Sequence, residues 1–171
     1  MVEGTTTEIQ KREFAMQTLL VIGSIFLFSI LALSINTNMT DQYGDNYENE
    51  AVVTAASIGQ SILETIQLEA YDENTVSSDV YLSSQLSTTL GAESGESSDT
   101  LFDDIDDYDN YQSAIQMTRL DSFRVLVDVY YINQAAPDTA VTSPTFSKRI
   151  DVEINNAYLE NPIILFSIVS Y

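Results

Sequence analysis

The chain of 171 residues has no cysteine and no histidine, and only six lysines and arginines against 26 aspartates and glutamates. Without Cys or His, the cysteine–histidine nucleophile, the Ser–His–Asp triad, most zinc sites and the thiol redox motifs are excluded. No disulfide can staple the fold, so its core has to rest on burial alone. The shortage of bases leaves a formal net charge of -20, which repels nucleic acid and anionic lipid. The same charge suits divalent cations, basic partners or a high-salt medium, and composition does not choose among them. There is no Gly-rich phosphate loop and no metal-ligand spacing. Two placed carboxylates suffice for glycoside hydrolysis, but among so many acids a pair carries no information. The chain is expected not to be an enzyme.

One stretch lacks charge altogether, from Leu19 to Ile35. Adding Phe14, Ala15, Met16 and Thr18 brings it to the ~20 largely apolar residues that a membrane span needs. Its hydroxyls can bond back to their own helix. Lys11 and Arg12 precede it, and no further base occurs before Arg119. The positive-inside rule then places the N-terminus in the cytoplasm and the remainder outside. The expectation is a single-pass protein of the cytoplasmic membrane, with residues 1–16 as a cytoplasmic, leader-like segment and 17–36 as the transmembrane helix. A cleaved secretory signal is the competing reading. Against it, the apolar run exceeds the usual core of about 7–15 residues, and no small-x-small site sits cleanly at its end. Only Glu3, Glu8 and Glu13 among the acids lie before residue 37, so nearly all the acidity is exported.

Residues 36–50 are polar, with Gly44 as the only breaker. A helical period follows: Val52, Ala55, Ala56, Gly59, Ile62, Leu63, Ile66 and Ala70 recur at spacings of three and four and form one apolar stripe. Residues 37–72 thus read as an amphipathic helix continuing the anchor and ending near Asp72-Glu73-Asn74. Residues 73–171 read as an acidic extracytoplasmic region of loops and sheet. Within it, Val80, Leu82 and Leu86 fit a short turn of helix or a strand, and Gly91 to Ser98 an exposed loop. Arg124 to Ile132 is β-branched and aromatic. Lys148 to Ile154 alternates, with Ile150, Val152 and Ile154 inward and Arg149, Asp151 and Glu153 outward. Ile163 to Val169 is apolar on both faces and reads as a central or covered strand. No long crossover separates these strands, so they form an antiparallel meander. The fold class is α+β: a long N-terminal helix whose second half packs on a C-terminal antiparallel sheet.

This layout, read with three local motifs, resembles the type IV pilin superfamily, above all its pseudopilins and minor pilins. Gln17-Thr18-Leu19-Leu20, just after the bases, is similar to the short motif that opens processed pilin subunits. Ala55 to Ile66, ending at Ala70-Tyr71-Asp72-Glu73, looks like the helix end of minor pilins of the mannose-sensitive haemagglutinin type. Phe102-Asp103-Asp104-Ile105-Asp106-Asp107-Tyr108-Asp109-Asn110-Tyr111 is similar to an acidic-aromatic segment of the same group. Lys148-Arg149-Ile150-Asp151-Val152 and a last strand from Pro162 complete the likeness, which covers most of residues 15–171.

The resemblance implies a structural subunit of a type IV pilus or type II secretion-like filament, with other pilin-like subunits as partners and no nucleic acid. Its domain would lie outside the membrane and become an extracellular filament on assembly. It makes Met16 and Gln17 the candidate peptidase-processing pair, and Leu19, Leu20, Gly23, Phe26, Leu27, Ile30 and Leu31 the candidate filament-core packing residues. Two positions depart from the family. Met16 stands where Gly usually precedes the cut, and Val21 where a glutamate usually lies five residues into the processed chain. That glutamate is absent from some initiating subunits, so a minor or initiating role is implied. The alternative is a bitopic membrane protein whose outer domain binds a ligand or partner without polymerising. A cell-surface adhesin is a third reading.

The acidic run is the sharpest chemical feature. Asp103, Asp104, Asp106, Asp107 and Asp109 are candidate ligands for Ca²⁺, which takes roughly six to eight oxygens. The run lacks the sixth-position Gly and closing Glu of an EF-hand. Calcium is the only cofactor the sequence raises; the competing reading is a solvated loop whose Phe102, Ile105, Tyr108 and Tyr111 pin it to the sheet.

Overall fold

A computed structural model describes residues 3–171 of the chain, with side chains at residues 8, 10–39 and 46–171. The described chain divides into two units, one up to Asn46 and one from Tyr47 to Tyr171. Helix α1 (Glu3–Ile66) contributes to both, and Gly44 falls inside it.

In the first unit, Gln10–Met39 is long and apolar enough to cross a membrane, and its most apolar stretch is wholly unburied. The hydroxyls here bond back to their own helix, as expected. Thr18 Oγ1 donates to the Phe14 carbonyl at 2.8 Å, Ser24 Oγ to Val21 at 2.8 Å and Ser29 Oγ to Ile25 at 2.8 Å.

The second unit is an α+β layer pair. Its sheet contains β1 (Tyr111–Met117), β2 (Asp121–Asn133), β4 (Ser147–Asn155) and β5 (Ile163–Ser170), hydrogen-bonded in that order and antiparallel throughout. A short β3 (Ala136–Ala140) pairs with the end of β2. The three expected strands are present as β2, β4 and β5; β1 and β3 are additional. β1 escapes a reading for apolar alternation because its sequence, YQSAIQM, is mostly polar or small. A tight turn at Thr118–Leu120 leads from it into β2.

Period-two alternation puts Phe123, Val125, Val127, Val129 and Tyr131 of β2, and Lys148, Ile150, Val152 and Ile154 of β4, in the buried layer. The α1 residues on that layer are Ala51, Ala55, Ile58, Leu63 and Ile66. The expected stripe is buried at Ala55, Gly59, Leu63 and Ile66, while Val52 is exposed and Ala51 is fully buried in its stead. Small residues line the contact, and at Gly59 a Cβ would lie 2.7 Å from Ile154 Cδ1 and 2.8 Å from Leu165 Cδ1. Only glycine fits that approach without displacing both side chains.

Two expectations are corrected. Helix α1 ends at Ile66, not near Asp72. Its last turn tightens, with Leu68 N–H donating to Thr65 and Glu69 N–H to Ile66. Beyond it the Ala70 backbone bonds to Asp103 and Ile105 instead of continuing a helix. Asp72 then caps a separate short helix, α2 (Glu73–Val76). Second, β5 is neither central nor covered. It is an edge strand, with Ile163, Leu165 and Val169 against the core and Ile164, Phe166 and Ile168 exposed. Apolar residues on both faces do not by themselves distinguish an open edge from a covered centre.

Residues 77–110 carry little regular structure. Val80 and Leu86 are buried with Tyr71 and Tyr131 in a second small cluster, Leu82 is exposed, and Ser83–Gln85 forms a 3₁₀ turn. The stretch from Ala92 to Ser98 is largely exposed, as expected.

Candidate functional site

The acidic run is not a solvated loop. Asp104, Asp106 and Asp107 are 0%, 1% and 2% exposed. Backbone bonds from Ala70 to Asp103 and Ile105 tie the run to the segment beyond α1, and a 3₁₀ turn spans Asp106–Tyr108. The aromatics pin it as expected: Ile105 and Tyr108 belong to the core, with Phe102 and Tyr111 packed against it. The Phe102, Tyr108 and Tyr111 rings meet edge to face at 4.9–5.9 Å.

The five candidate calcium aspartates have different tasks. Asp104 Oδ1 accepts from the backbone N–H groups of Asp106 and Asp107 at 2.6 and 3.1 Å. Asp107 Oδ2 accepts from those of Asp103 and Asp104 at 3.0 and 3.3 Å. Asp109 Oδ1 takes the Val129 N–H at 3.0 Å, fastening the run to β2. Asp106 pairs with Lys148. Asp103 is exposed. One oxygen of each buried carboxylate, Asp104 Oδ2, Asp106 Oδ2 and Asp107 Oδ1, has no hydrogen-bond partner.

Lys148 is the centre that the apolar pattern passes over. It is fully buried, because the alternation that turns Ile150, Val152 and Ile154 inward turns residue 148 inward too. Its three ammonium donors meet three acceptors: the Tyr71 carbonyl at 2.6 Å, Asp72 Oδ2 at 3.3 Å, and Asp106 Oδ1. The Tyr71 and Tyr131 rings flank it, 4.4 and 4.9 Å from Nζ to their centroids. Asp72 also accepts from the Tyr131 hydroxyl at 2.8 Å and from the Asn74 and Ser87 N–H groups. One buried network therefore joins the segment after α1, the acidic run, β2 and β4.

The carboxyls differ in charge state. Burial pushes Asp104 up to about 7, reinforced by Asp106 and Asp107. Burial also pushes Asp106 up to about 7, against the pull of Lys148. At Asp72, burial acts upward too, but the Tyr131 hydroxyl, Lys148 and the Ser87 and Asn74 N–H groups outweigh it and hold the carboxyl below its usual range. Asp72 is thus the ionised partner of Lys148. A proton on Asp104 lessens the charge repulsion within the cluster.

A second acidic group adjoins Asp107. One carboxylate oxygen from each of Glu93, Glu96 and Asp107 lies within 4.8 Å of the other two. Burial, with hydrogen bonding to Glu96 and Asp107, pushes Glu93 up to about 8. Glu93 and Glu96 lie in the loop between the two Gly residues with positive φ, Gly91 and Gly95, and just beyond. Loop residues carry no periodicity, so no sequence pattern links them to Asp107.

On α1, Met16 and Gln17 are exposed. Leu19, Leu20, Phe26, Leu27, Ile30 and Leu31 are between 51% and 72% exposed, and a Cβ on Gly23 would meet nothing within 4 Å. Gly23 and the leucines around it make an apolar surface that is unburied among the described residues. Comparison of the chain with protein-family models, with curated proteins and with solved structures finds no match in any of the three.

Proposed function

We propose that this protein is a structural subunit, of the minor pilin or pseudopilin kind, in a type IV pilus or type II secretion-like filament. The observation that carries the proposal is α1 itself. Its first part is apolar on every side and unburied, while residues 47–66 are committed to the sheet. A bare apolar helix needs lipid or other helices around it. The likeness of Gln17-Thr18-Leu19-Leu20, of the helix end and of the acidic-aromatic segment to pilin subunits supports both surroundings in turn. In the membrane the helix is a reservoir, N-terminus in the cytoplasm after Lys11 and Arg12; in the filament it joins a bundle of like helices. Burial passes from lipid to helix–helix contact, where small residues such as Gly23 permit close approach. The work is assembly, not catalysis. Val21 in place of the family glutamate favours a minor or initiating subunit.

Met16 and Val21 also favour a second reading: a bitopic protein whose outer domain binds a partner without polymerising. Intact mass and N-terminal sequencing of the protein from its native membrane separate the two. The filament reading predicts a chain beginning at or near Gln17; a chain beginning at Met1 favours the permanent anchor.

A further inference from the structure

Beyond the assembly role, and independently of it, we propose that Lys148 and Asp106 become joined by an amide bond, formed within the chain between Lys148 Nζ and Asp106 Cγ, with Asp72 carrying the proton. The buried network holds the parts of that reaction together. Lys148, Asp106 and Asp72 are all buried. The Lys148 ammonium touches the Asp106 carboxyl and lies 3.3 Å from Asp72 Oδ2, and the Asp72 carboxyl also meets that of Asp106. One nucleophile, one carbonyl carbon and one base are thus in mutual contact. The rings of Tyr71 and Tyr131, clustered with Val80 and Leu86, close the site against water.

The two carboxyls take different parts. Asp72 accepts from the Tyr131 hydroxyl and from the Asn74 and Ser87 N–H groups, which keep it ionised, so it is the base and a poor electrophile. Burial pushes Asp106 up to about 7, and a protonated carboxyl has a hydroxyl to lose. Asp72 takes one proton from the ammonium, the freed electron pair attacks Asp106 Cγ, and the C–N bond forms. Asp72 then gives that proton to the Asp106 hydroxyl, which leaves as water when its C–O bond breaks. A second ammonium proton is released and the third stays on the amide nitrogen. An ammonium and a carboxylic acid thereby give one amide, one water and one proton, and Asp72 ends as it began. Contact between well-oriented groups supplies an effective concentration of about 10⁵–10⁸ M, and exclusion of water opposes hydrolysis. A neutral amide in place of two buried ionisable groups also removes their desolvation cost. The bond joins positions 42 apart and encloses β1, β2 and β3. In a chain without cysteine it is a covalent staple that needs no thiol. The ion pair is the form that folding assembles, and the amide follows from it.

The test is the intact mass of the full chain, purified from its native cells and denatured, with N-terminal sequencing to fix where it begins. The wild type is expected to be lighter than the linear chain by one water, and proteolysis should yield a branched peptide pair joined from Lys148 to Asp106. Lys148→Arg and Asp106→Ala should each show the full linear mass, and the bonded wild type should run ahead of Lys148→Arg on a denaturing gel. Asp72→Asn, which keeps an acceptor for the same N–H groups, should retain the wild-type circular dichroism and show the full linear mass. A wild type of full linear mass overturns the bond. So does a missing water that lies within a single peptide, the mark of a cyclised aspartate. A branched pair from Lys148 to Asp72 overturns the choice of electrophile. An Asp72→Asn chain that folds and cross-links as the wild type does overturns the role of Asp72. The wild-type mass decides on the bond whether or not a variant folds.

Discussion

At the scale of single residues, Lys148 decides how the second unit is closed. Its ammonium is surrounded by one carbonyl, two carboxylates and two aromatic rings at full burial. Such an arrangement contributes little net stability compared with an apolar replacement of the whole set, but removing one member leaves an uncompensated buried charge. Lys148→Met is therefore expected to cost ~3–5 kcal/mol, read as a lowered denaturation midpoint of the full chain. Combining Lys148→Met with Asp72→Asn and Asp106→Asn should recover part of that loss, because no charge is then left alone. The Asp72 carboxyl gives a pH signature. Its native-state value lies below the ordinary one, so its contribution is present above about pH 4 and is lost as pH falls through the native-state value. Tyr131→Phe removes a donor to this carboxylate and should cost about 1–3 kcal/mol. The difference between wild type and Tyr131→Phe in EDTA is expected to hold constant at neutral pH and shrink below about pH 4. A difference that grows on acidification would contradict the ionised state of Asp72.

Lys148 also marks how much of the site can be seen in the sequence. The alternation Lys148, Ile150, Val152, Ile154 points one way, so the inward lysine is readable once the period is carried one residue further back. Asp72 stands two residues ahead of Asn74 at the start of a polar stretch, a capping signal. What does not show is that these two meet. Their contact spans 76 residues and depends on α1 ending at Ile66, which is set by backbone bonds from Ala70 to Asp103 and Ile105. Propensity within 67–72 contains no trace of those partners. The burial of Asp104, Asp106 and Asp107 is hidden for the same reason, since five acids in seven residues ordinarily mean a solvated face.

At the scale of elements, helix and sheet are legible in different degrees. The apolar stretch and the long helix follow from charge-free length and from a three–four period, and β2, β4 and β5 from alternation. The strand β1 does not, because it is an edge strand with mostly polar residues, formed in register with β2 from Tyr111↔Val127 to Met117↔Asp121. The helix–sheet approach has one demanding point, Gly59. Gly59→Leu is expected to destabilise the second unit by about 1–3 kcal/mol through overpacking against Ile154 and Leu165, measured by thermal melting. Gly23 offers the contrasting case. Nothing lies near its Cβ position, so Gly23→Leu should leave the melting temperature unchanged. On the filament reading the same substitution obstructs close helix packing, and the variant is expected to reach the membrane but enter filaments poorly, scored by its recovery in sheared filaments.

For the whole molecule, the two units divide the labour. One presents an apolar helical surface that is unburied among the described residues, and the other closes on itself through a core and a buried ion network. Nothing in the second unit accounts for the first, so the function has to include whatever surrounds that helix. The most direct measurement is site-specific photo-crosslinking from position 27, where Leu27 is 68% exposed, in the full chain in its native cells. If the protein assembles as proposed, irradiation yields covalent adducts with other pilin-like subunits, and these are found in the filament fraction. Adducts with lipid alone, in cells that carry filaments, would contradict assembly and leave the helix as a permanent anchor.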